Sequence, residues 1–303
     1  MTAKPMDTTK QFTALLDNVT LSKVERMRML PMRRRTNRSR GEHLAGKGGT
    51  STEFNDYRDY AAGDDMRNVD WNIFARLNRP YVKQYRHEEE MHVVVLVDAS
   101  ASMQFGDKFE RAKQLAACFA VMGLMNIEKV SLFACQHAGQ TPLISPPCTG
   151  RMSMKRVFSF LESIPPGGDF PIELAVEAML KQHRGRGIAV LLSDFLTFGA
   201  LERPMNMLFS AGLEVFGLQL LSGIELNPEL TGDLRFVDSE NGHTLDVSSV
   251  GDLLGFYHEH LNGLQEYLAT LCRQRSGRFT CLDSSTPIDT IMFDVLKRKG
   301  WVQ

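Results

Sequence analysis

The stretch that decides the fold reads His92-Val93-Val94-Val95-Leu96-Val97-Asp98-Ala99-Ser100-Ala101-Ser102-Met103. Its consecutive apolar residues, Val93 to Val97, predict a strand buried on both faces, as in the middle of a parallel sheet. Asp98, Ser100 and Ser102 alternate with alanines directly after that strand, so their oxygen atoms can point the same way. Ligands of open α/β sheets bind at this end of the strands. The stretch therefore predicts a ligand site at the carboxyl edge of a sheet.

The side chains of this loop suggest the kind of ligand. Carboxylate and hydroxyl oxygens without a nearby Cys or His suit a hard cation, Mg²⁺ before Ca²⁺ or Zn²⁺. The same residue types also form Asx and Ser turns by bonding to nearby backbone groups. A polar turn without a metal is therefore the alternative interpretation of Asp98, Ser100 and Ser102.

A second apolar run repeats this arrangement further along the chain. Ile188 to Leu192 predicts another buried strand, and Ser193-Asp194-Phe195 follows it. An acidic side chain at the end of a second central strand can reach the same cleft as Asp98. The rest of the chain alternates strand and helix patterns, which predicts an α/β fold with a doubly wound, mostly parallel sheet flanked by helices.

Composition narrows the class of protein. The 303 residues allow one large α/β domain and a smaller piece, and the net charge of −1 with 23% charged residues gives no global sign of nucleic acid or membrane binding. The five cysteines form no Cys-x-x-Cys pair and mostly lie within apolar patterns, which favours reduced thiols in the cytoplasm. We predict no membrane segment, because no run approaches ~20 apolar residues.

A charged and aromatic segment precedes the first buried strand. Gly63-Asp64-Asp65-Met66-Arg67-Asn68-Val69-Asp70-Trp71 follows Arg58-Asp59-Tyr60. Together with Asp-x-Ser-x-Ser, these motifs make the chain resemble a von Willebrand factor A (vWA) domain, and more narrowly the bacterial "domain of unknown function 58" family. The resemblance covers roughly residues 20 to 300. It implies a vWA-like, Rossmann-type domain over residues 91–303 and an amino-terminal extension, residues 1–90, with a basic arm and a Gly-rich segment.

The resemblance also implies a metal-ion-dependent adhesion site. Its ligands would be Asp98, Ser100, Ser102 and Asp194, binding Mg²⁺, with Ca²⁺ or Mn²⁺ as alternatives. In vWA domains a Thr hydroxyl usually completes the site, but this chain has Gly167-Gly168-Asp169 in the corresponding region. Asp169 either replaces that Thr as a ligand or caps the next helix; both interpretations stay open here.

The segment before the vWA-like domain has two interpretations as well. Its charged and aromatic side chains can form an internal salt-bridge network, because Arg and Asp pair in bidentate fashion and Arg stacks on rings. They can also form a partner-binding surface. The candidate residues are Arg58, Asp64, Asp65, Arg67, Asp70 and Trp71.

We expect a non-catalytic, metal-dependent protein interaction module in which an acidic side chain of a partner completes the metal shell. The resemblance implies a MoxR-type AAA+ ATPase as companion, in the assembly, maturation or remodelling of other proteins. A scaffold with a degenerate metal site is one alternative. A Mg²⁺-dependent phosphohydrolase with Asp98 as nucleophile is a weaker one, because such sites need a second acid two residues later and position 100 is Ser.

Overall fold

The computed structural model describes residues 11–32, 54–85, 91–135, 142–168, 172–183, 185–196, 201–228, 234–237, 244–247 and 250–303. These residues form two compact units. The main unit combines residues 11–32 with the described residues from 91 onward, and the second unit contains residues 54–85. Residues 11–32 therefore belong to the main unit and not to the second unit.

The strands in chain order are β1 (Phe54–Asp59), β2 (Tyr81–Tyr85), β3 (His92–Asp98), β4 (Lys129–Cys135), β5 (Leu143–Cys148), β6 (Gly187–Ser193), β7 (Leu213–Leu221), β8 (Leu234–Val237), β9 (Thr244–Val247) and β10 (Arg278–Asp283). The helices are α1 (Asn18–Val24), α2 (Trp71–Leu77), α3 (Lys108–Met125), α4 (Met154–Ser163), α5 (Ile172–Gln182), α6 (Glu202–Ser210), α7 (Gly223–Leu226), α8 (Val250–Gln274) and α9 (Ile288–Thr290), which continues as π-helical turns over Ile291–Leu296. Short 3-10 helices span Met66–Asn68, Ser102–Gln104 and Arg151–Ser153.

Six strands form the main sheet, in the order β10-β7-β6-β3-β4-β5. All neighbours are parallel except β5, which runs antiparallel at the edge beside β4. The alternating residues of β3 enter two different cores: Val93, Val95 and Val97 pack on one face, and Val94 and Leu96 on the other. A strand buried on both faces requires helices on both sides. The predicted α/β fold with a mostly parallel, doubly wound sheet is confirmed.

Helix α3 covers the first face of the sheet. Most of its side chains between Leu115 and Leu124 are buried, which explains the apolar run in the sequence. Gly123 lets the helix approach closely, because a Cβ atom there would lie 2.8 Å from Val130 Cγ2. Within the part of the chain that the structure describes, no helix combines the length and the apolar character needed to cross a membrane.

The amino-terminal segment, residues 11–32, contacts the rest of the main unit at two places. The Asp17 carboxylate caps α1 by accepting the backbone N–H groups of Val19 and Thr20. The Thr20 hydroxyl lies 2.5 Å from the Asp289 carboxylate, near the carboxyl terminus. Further on, Met29 forms an antiparallel bridge to Val302. A helix of one or two turns is unstable alone, so these tertiary contacts keep α1 folded.

The second unit contains β1 and β2, which pair antiparallel with each other. The residues of β2 alternate in the way typical of a strand, and this strand pairs within its own small sheet. Strand β8 likewise lies outside the main sheet and pairs with β9. Periodicity shows that a segment is a strand but does not show which strand it joins.

The cysteines lead to a first prediction. All five thiols are unpaired, and only Cys281 is partly exposed. Burial raises the pKa of Cys272 to about 12 and that of Cys281 to about 11, and it also raises the pKa of Cys118, Cys135 and Cys148. Since the thiolate is the reactive form, we expect the native protein to react very slowly with Ellman's reagent near pH 8, and all five thiols to react in denaturant.

The control for this measurement is Cys281→Ser. It should remove whatever slow reaction the native protein shows, because Cys281 is the one partly exposed thiol. A rapidly reacting thiol in the native Cys281→Ser variant would contradict the buried positions of the other four.

Candidate functional site

The site lies where the order of the main sheet reverses. From β3 the chain first adds β4 on one side and later returns to add β6 on the other. Asp98 ends β3, and Asp194 follows β6 directly. The two strands are parallel neighbours in register, with Val97 opposite Leu192. Both acidic side chains therefore stand at the carboxyl edge of the sheet, at its topological switch point, which is the usual ligand position in this class of fold.

The Asp98 carboxylate is bound on both oxygens. Oδ1 accepts the Ser100 backbone N–H at 2.9 Å, and Oδ2 accepts the Ser193 hydroxyl at 2.6 Å. The Ser100 and Ser102 hydroxyl oxygens lie 3.1 Å apart. Burial, and next the negative charge of Asp194, raise the pKa of Asp98 to about 6, and these hydrogen bonds oppose the shift. The structure thus brings four predicted side chains to one small acidic cluster.

The loop that leads to Asp169 is attached to this cluster. The Gly167 N–H donates to the Ala99 carbonyl at 2.8 Å, and the Ala101 N–H donates to the Gly168 carbonyl at 2.8 Å. Gly167 and Gly168 both have positive φ angles, a backbone that glycine adopts without strain. Asp169 itself lies outside the described residues, so its predicted role as a metal ligand or helix cap stays a prediction.

A lysine that we did not predict lies in the same cluster. Lys108 is the first residue of α3, and its side chain is 0% exposed. Its ammonium nitrogen lies 3.0 Å from Asp194 Oδ2 and 2.6 Å from Glu225 Oε1. A positive charge is unfavourable at a helix amino terminus, and a buried ammonium is costly unless it is paired. Two carboxylates at hydrogen-bond distance provide that pairing.

Both carboxylates are themselves positioned by the backbone. Glu225 belongs to a capping box: its Oε2 accepts the Ser222 N–H at 2.7 Å, and the Ser222 hydroxyl accepts the Glu225 N–H. Asp194 Oδ1 accepts the Leu196 N–H at 3.1 Å, and the Gln219 side chain donates to the Asp194 carbonyl. The carboxylates that bind Lys108 therefore have few conformations available.

These carboxylate oxygens do not fit the divalent metal that the resemblance implies. A Mg²⁺ ion needs free carboxylate and hydroxyl oxygens around a space without another cation. Here one oxygen of Asp194 accepts the Lys108 ammonium and the other accepts a backbone N–H. The described residues contain no group of three or more His, Cys, Asp or Glu side chains arranged to bind a metal. Lys108 supplies a positive charge at this site.

The charged segment of the second unit consists largely of internal pairs. The Arg58 guanidinium lies 2.5 Å from Asp64 Oδ1. Asp65 caps the 3-10 turn by accepting the Arg67 N–H at 3.0 Å, and the Arg67 guanidinium also contacts it at 3.3 Å. The Arg67 side chain is nevertheless 91% exposed. Among these four residues, Arg67 is therefore the one most open to a partner.

Asp70 and Trp71 differ from each other in environment. Asp70 is buried; its Oδ1 caps α2, and its Oδ2 lies 3.0 Å from the Lys83 ammonium and 3.2 Å from the Tyr57 hydroxyl. The hydrogen bond from Lys83 is the main reason why the pKa of Asp70 is lowered. Trp71, the next residue, is 54% exposed. The contacts of Asp70 organise the unit, whereas Trp71 presents an apolar surface.

Sequence reasoning missed Lys108, Glu225 and Ser193 as members of the site. One usable signal was the pattern Ser222-x-x-Glu225, which is a capping box and fixes the direction of the glutamate. Another was Lys108 itself, because a lysine directly after the helix-starting Gly106-Asp107 opposes the helix dipole. Neither signal indicates that Lys108 and Glu225 contact each other.

The fold and site define an α/β protein with an acidic, hydroxyl-bearing cluster at a sheet switch point. The chain matches the family described as "Protein of unknown function DUF58" over residues 56–254, and it belongs to that family. Uncharacterized proteins of Mycobacterium bovis and Mycobacterium tuberculosis are each 30% identical over 215 residues, which cover 69% of this chain and 67% of theirs.

Solved structures provide weaker similarities. BatB from Bacteroides thetaiotaomicron is 15% identical with a TM-score of 0.43, covering 69% of this chain and 97% of that protein. An aerotolerance-related membrane protein from Bacteroides fragilis is 19% identical with a TM-score of 0.37, covering 64% of this chain and 92% of that protein.

Proposed function

We propose that this chain is a non-catalytic protein interaction module that docks a partner at the carboxyl edge of the main sheet. The observation that carries the proposal is a set of three exposed apolar residues, each close in sequence to a member of the acidic cluster. They are Phe105, Leu196 and Ile224, which are 48%, 43% and 63% exposed, and we call them the apolar rim. Exposed apolar side chains with polar neighbours are typical of protein interaction sites.

The described residues of the site favour binding over catalysis. Ser193 is hydrogen-bonded to Asp98, which is the kind of contact that a nucleophile makes with a base. However, Ser193 is 2% exposed, and its oxygen also accepts the Phe195 N–H at 2.9 Å. A substrate would not reach it. A phosphohydrolase with Asp98 as nucleophile gains no support from Ser100, which offers a hydroxyl where a second acid is needed.

The proposed companion is a MoxR-type AAA+ ATPase, in the assembly, maturation or remodelling of other proteins. This proposal rests on the vWA-like resemblance and on the family to which the chain belongs. The proposed location is the cytoplasm, which the five unpaired cysteines support. The exposed Trp71 and Arg67 of the second unit are a further proposed contact for the same partner.

One alternative has a specific observation in its favour. A scaffold whose metal site is degenerate would keep the fold and the loop but not the ion. The ammonium of Lys108 on Asp194 supports this alternative, because it places a cation of the protein against an expected metal ligand. A metal-bridged contact with a partner carboxylate is the competing prediction.

Capture of the ATPase tests the proposal. We expect Phe105→Ala/Ile224→Ala to reduce capture of a purified MoxR-type ATPase by tenfold or more, since two well-placed apolar contacts are together worth about 1.4 kcal/mol or more. The control is Met152→Ala. Met152 is 96% exposed and lies in the 3-10 helix that follows β5. Equal capture by all three proteins would refute docking at this edge.

A second pair of variants separates metal-bridged from metal-free docking. An AAA+ ATPase needs Mg²⁺ for its own nucleotide, so chelation alone cannot distinguish the two modes. Ser100→Ala/Ser102→Ala removes the hydroxyl ligands from this chain only, and Ser210→Ala, an exposed serine at the end of α6, is the control. Loss of capture only in the double serine variant would favour a metal bridge; retained capture would favour the apolar rim.

A further inference from the structure

We propose that Lys108 is the permanent cation of the site and that its ammonium group excludes a divalent metal. The ammonium lies against Asp194, which the vWA-like resemblance assigns to the metal, and against Glu225, to which it assigns nothing. Only residues of this chain form the ion pairs, which do not depend on whether an ATPase docks at the rim.

Burial holds the Lys108 ammonium in place. The Lys108 side chain is 0% exposed, and the Asp194 side chain is 4% exposed. Moving the ammonium into water to make room for a metal would leave a long buried space and break two short ion pairs. Exposed lysines change rotamer at little cost, but a buried, doubly paired lysine does not.

The charge of Lys108 also opposes a divalent ion. Asp98, Asp194 and Glu225 supply negative charge to the cluster, and Lys108 offsets part of it. A divalent ion beside Asp194 would be repelled by the ammonium, and the repulsion is strong because both charges lie away from water. The Asp194 oxygen that accepts the Lys108 ammonium cannot at the same time coordinate a divalent ion.

The backbone and the fold position all three charged groups of this ion-pair site. The capping box of Ser222 and Glu225 fixes one carboxylate at the start of α7. Asp194 is fixed by the Leu196 N–H, and Lys108 by its place at the start of α3. Three different elements thus present their groups to one point, which defines a specific ion-pair site and not a chance surface contact.

Titration with Mn²⁺ tests the inference, using electron paramagnetic resonance on the full chain and Mg²⁺ as competitor. We expect the wild type to have no site tighter than about 1 mM. The variant Lys108→Met/Glu225→Gln removes one positive and one negative charge together, so the net charge of the cluster is unchanged and Asp194 becomes available. We expect Mn²⁺ to bind this variant about 100-fold more tightly than the wild type.

The control is Lys113→Met/Glu110→Gln, which removes another ion pair of the same helix, 2.7 Å long and half exposed at the glutamate. This control variant should bind Mn²⁺ no more tightly than the wild type does. If the first double variant fails to fold by circular dichroism, Lys108→Gln replaces it, because its amide can still donate to a carboxylate.

Two results would overturn the inference. One is a wild-type site that binds Mn²⁺ below about 0.1 mM and is lost in Asp98→Asn, because a metal would then coexist with Lys108. The other is a folded Lys108 variant that gains no Mn²⁺ affinity, because the ammonium would then not be what excludes the ion.

Discussion

Lys108→Met should lower the free energy of unfolding of the main unit by about 3–5 kcal/mol, the usual cost of removing one member of a buried ion pair. Methionine fills the space of the lysine stem, so the loss arises from charge and not from a cavity. Without the ammonium, the buried Asp194 carboxylate and the partly buried Glu225 carboxylate repel each other. Urea unfolding monitored by tryptophan fluorescence measures the change.

The fluorescence signal can be restricted to the main unit. The chain has two tryptophans, Trp71 in the second unit and the buried Trp301 in the main unit. In a Trp71→Phe background only Trp301 reports. Lys113→Met is the matched control, and because the Glu110 carboxylate of its ion pair is 50% exposed to water, it should cost less than about 1 kcal/mol.

Addition of Glu225→Gln distinguishes an ion-pair network from simple packing. If the two charges interact, the double variant should recover part of the loss, and the coupling energy should be on the order of 1–3 kcal/mol. Strict additivity of the two substitutions would mean that Lys108 and Glu225 do not interact, contrary to the 2.6 Å contact between them.

The central sheet could be predicted from the sequence because its signals are local. Five apolar residues from Val93 to Val97, and five more from Ile188 to Leu192, each identify a strand buried on both faces. The polar residues that follow them mark the carboxyl edge, and this placed Asp98 and Asp194 together correctly. A strand that is buried on both faces consists of consecutive apolar residues, and such a run is visible in the sequence itself.

The ion-pair network could not be predicted because its members are distant in sequence. Lys108 lies 86 residues from Asp194 and 117 residues from Glu225. In the sequence, Lys108 and Glu225 each resemble an ordinary surface charge, because lysine and glutamate are seldom fully buried. Only the order of the strands, which brings the starts of α3 and α7 to one edge, shows that they meet.

The packing of residues 11–32 could not be predicted for a related reason. An apolar pattern can indicate a short helix such as α1, but periodicity does not identify the surface that a helix covers. That surface comes from the other end of the chain. The Arg28 N–H donates to the Gln303 carbonyl, and the Leu30 N–H donates to the Trp301 carbonyl.

The second large effect that we expect follows from this arrangement: Leu16→Ala should destabilise the main unit by about 2–5 kcal/mol. Leu16 is 1% exposed and belongs to the same hydrophobic core as Val93 and Trp301. Its truncation leaves a cavity between the amino-terminal segment and the helices that cover the sheet. Urea unfolding of the Trp71→Phe protein, with Trp301 as reporter, measures the effect.

Val19→Ala is the matched control, because Val19 is 64% exposed and lies in the same segment. Its effect should stay within about 0.5 kcal/mol. Equal effects of the two substitutions would mean that residues 11–32 do not pack into the core. If Leu16→Ala alone is costly, a fragment that begins at residue 91 lacks part of its own core. Partner capture must then use a protein that retains residues 11–32, since a failure of the shorter fragment would report unfolding and not the loss of a docking surface.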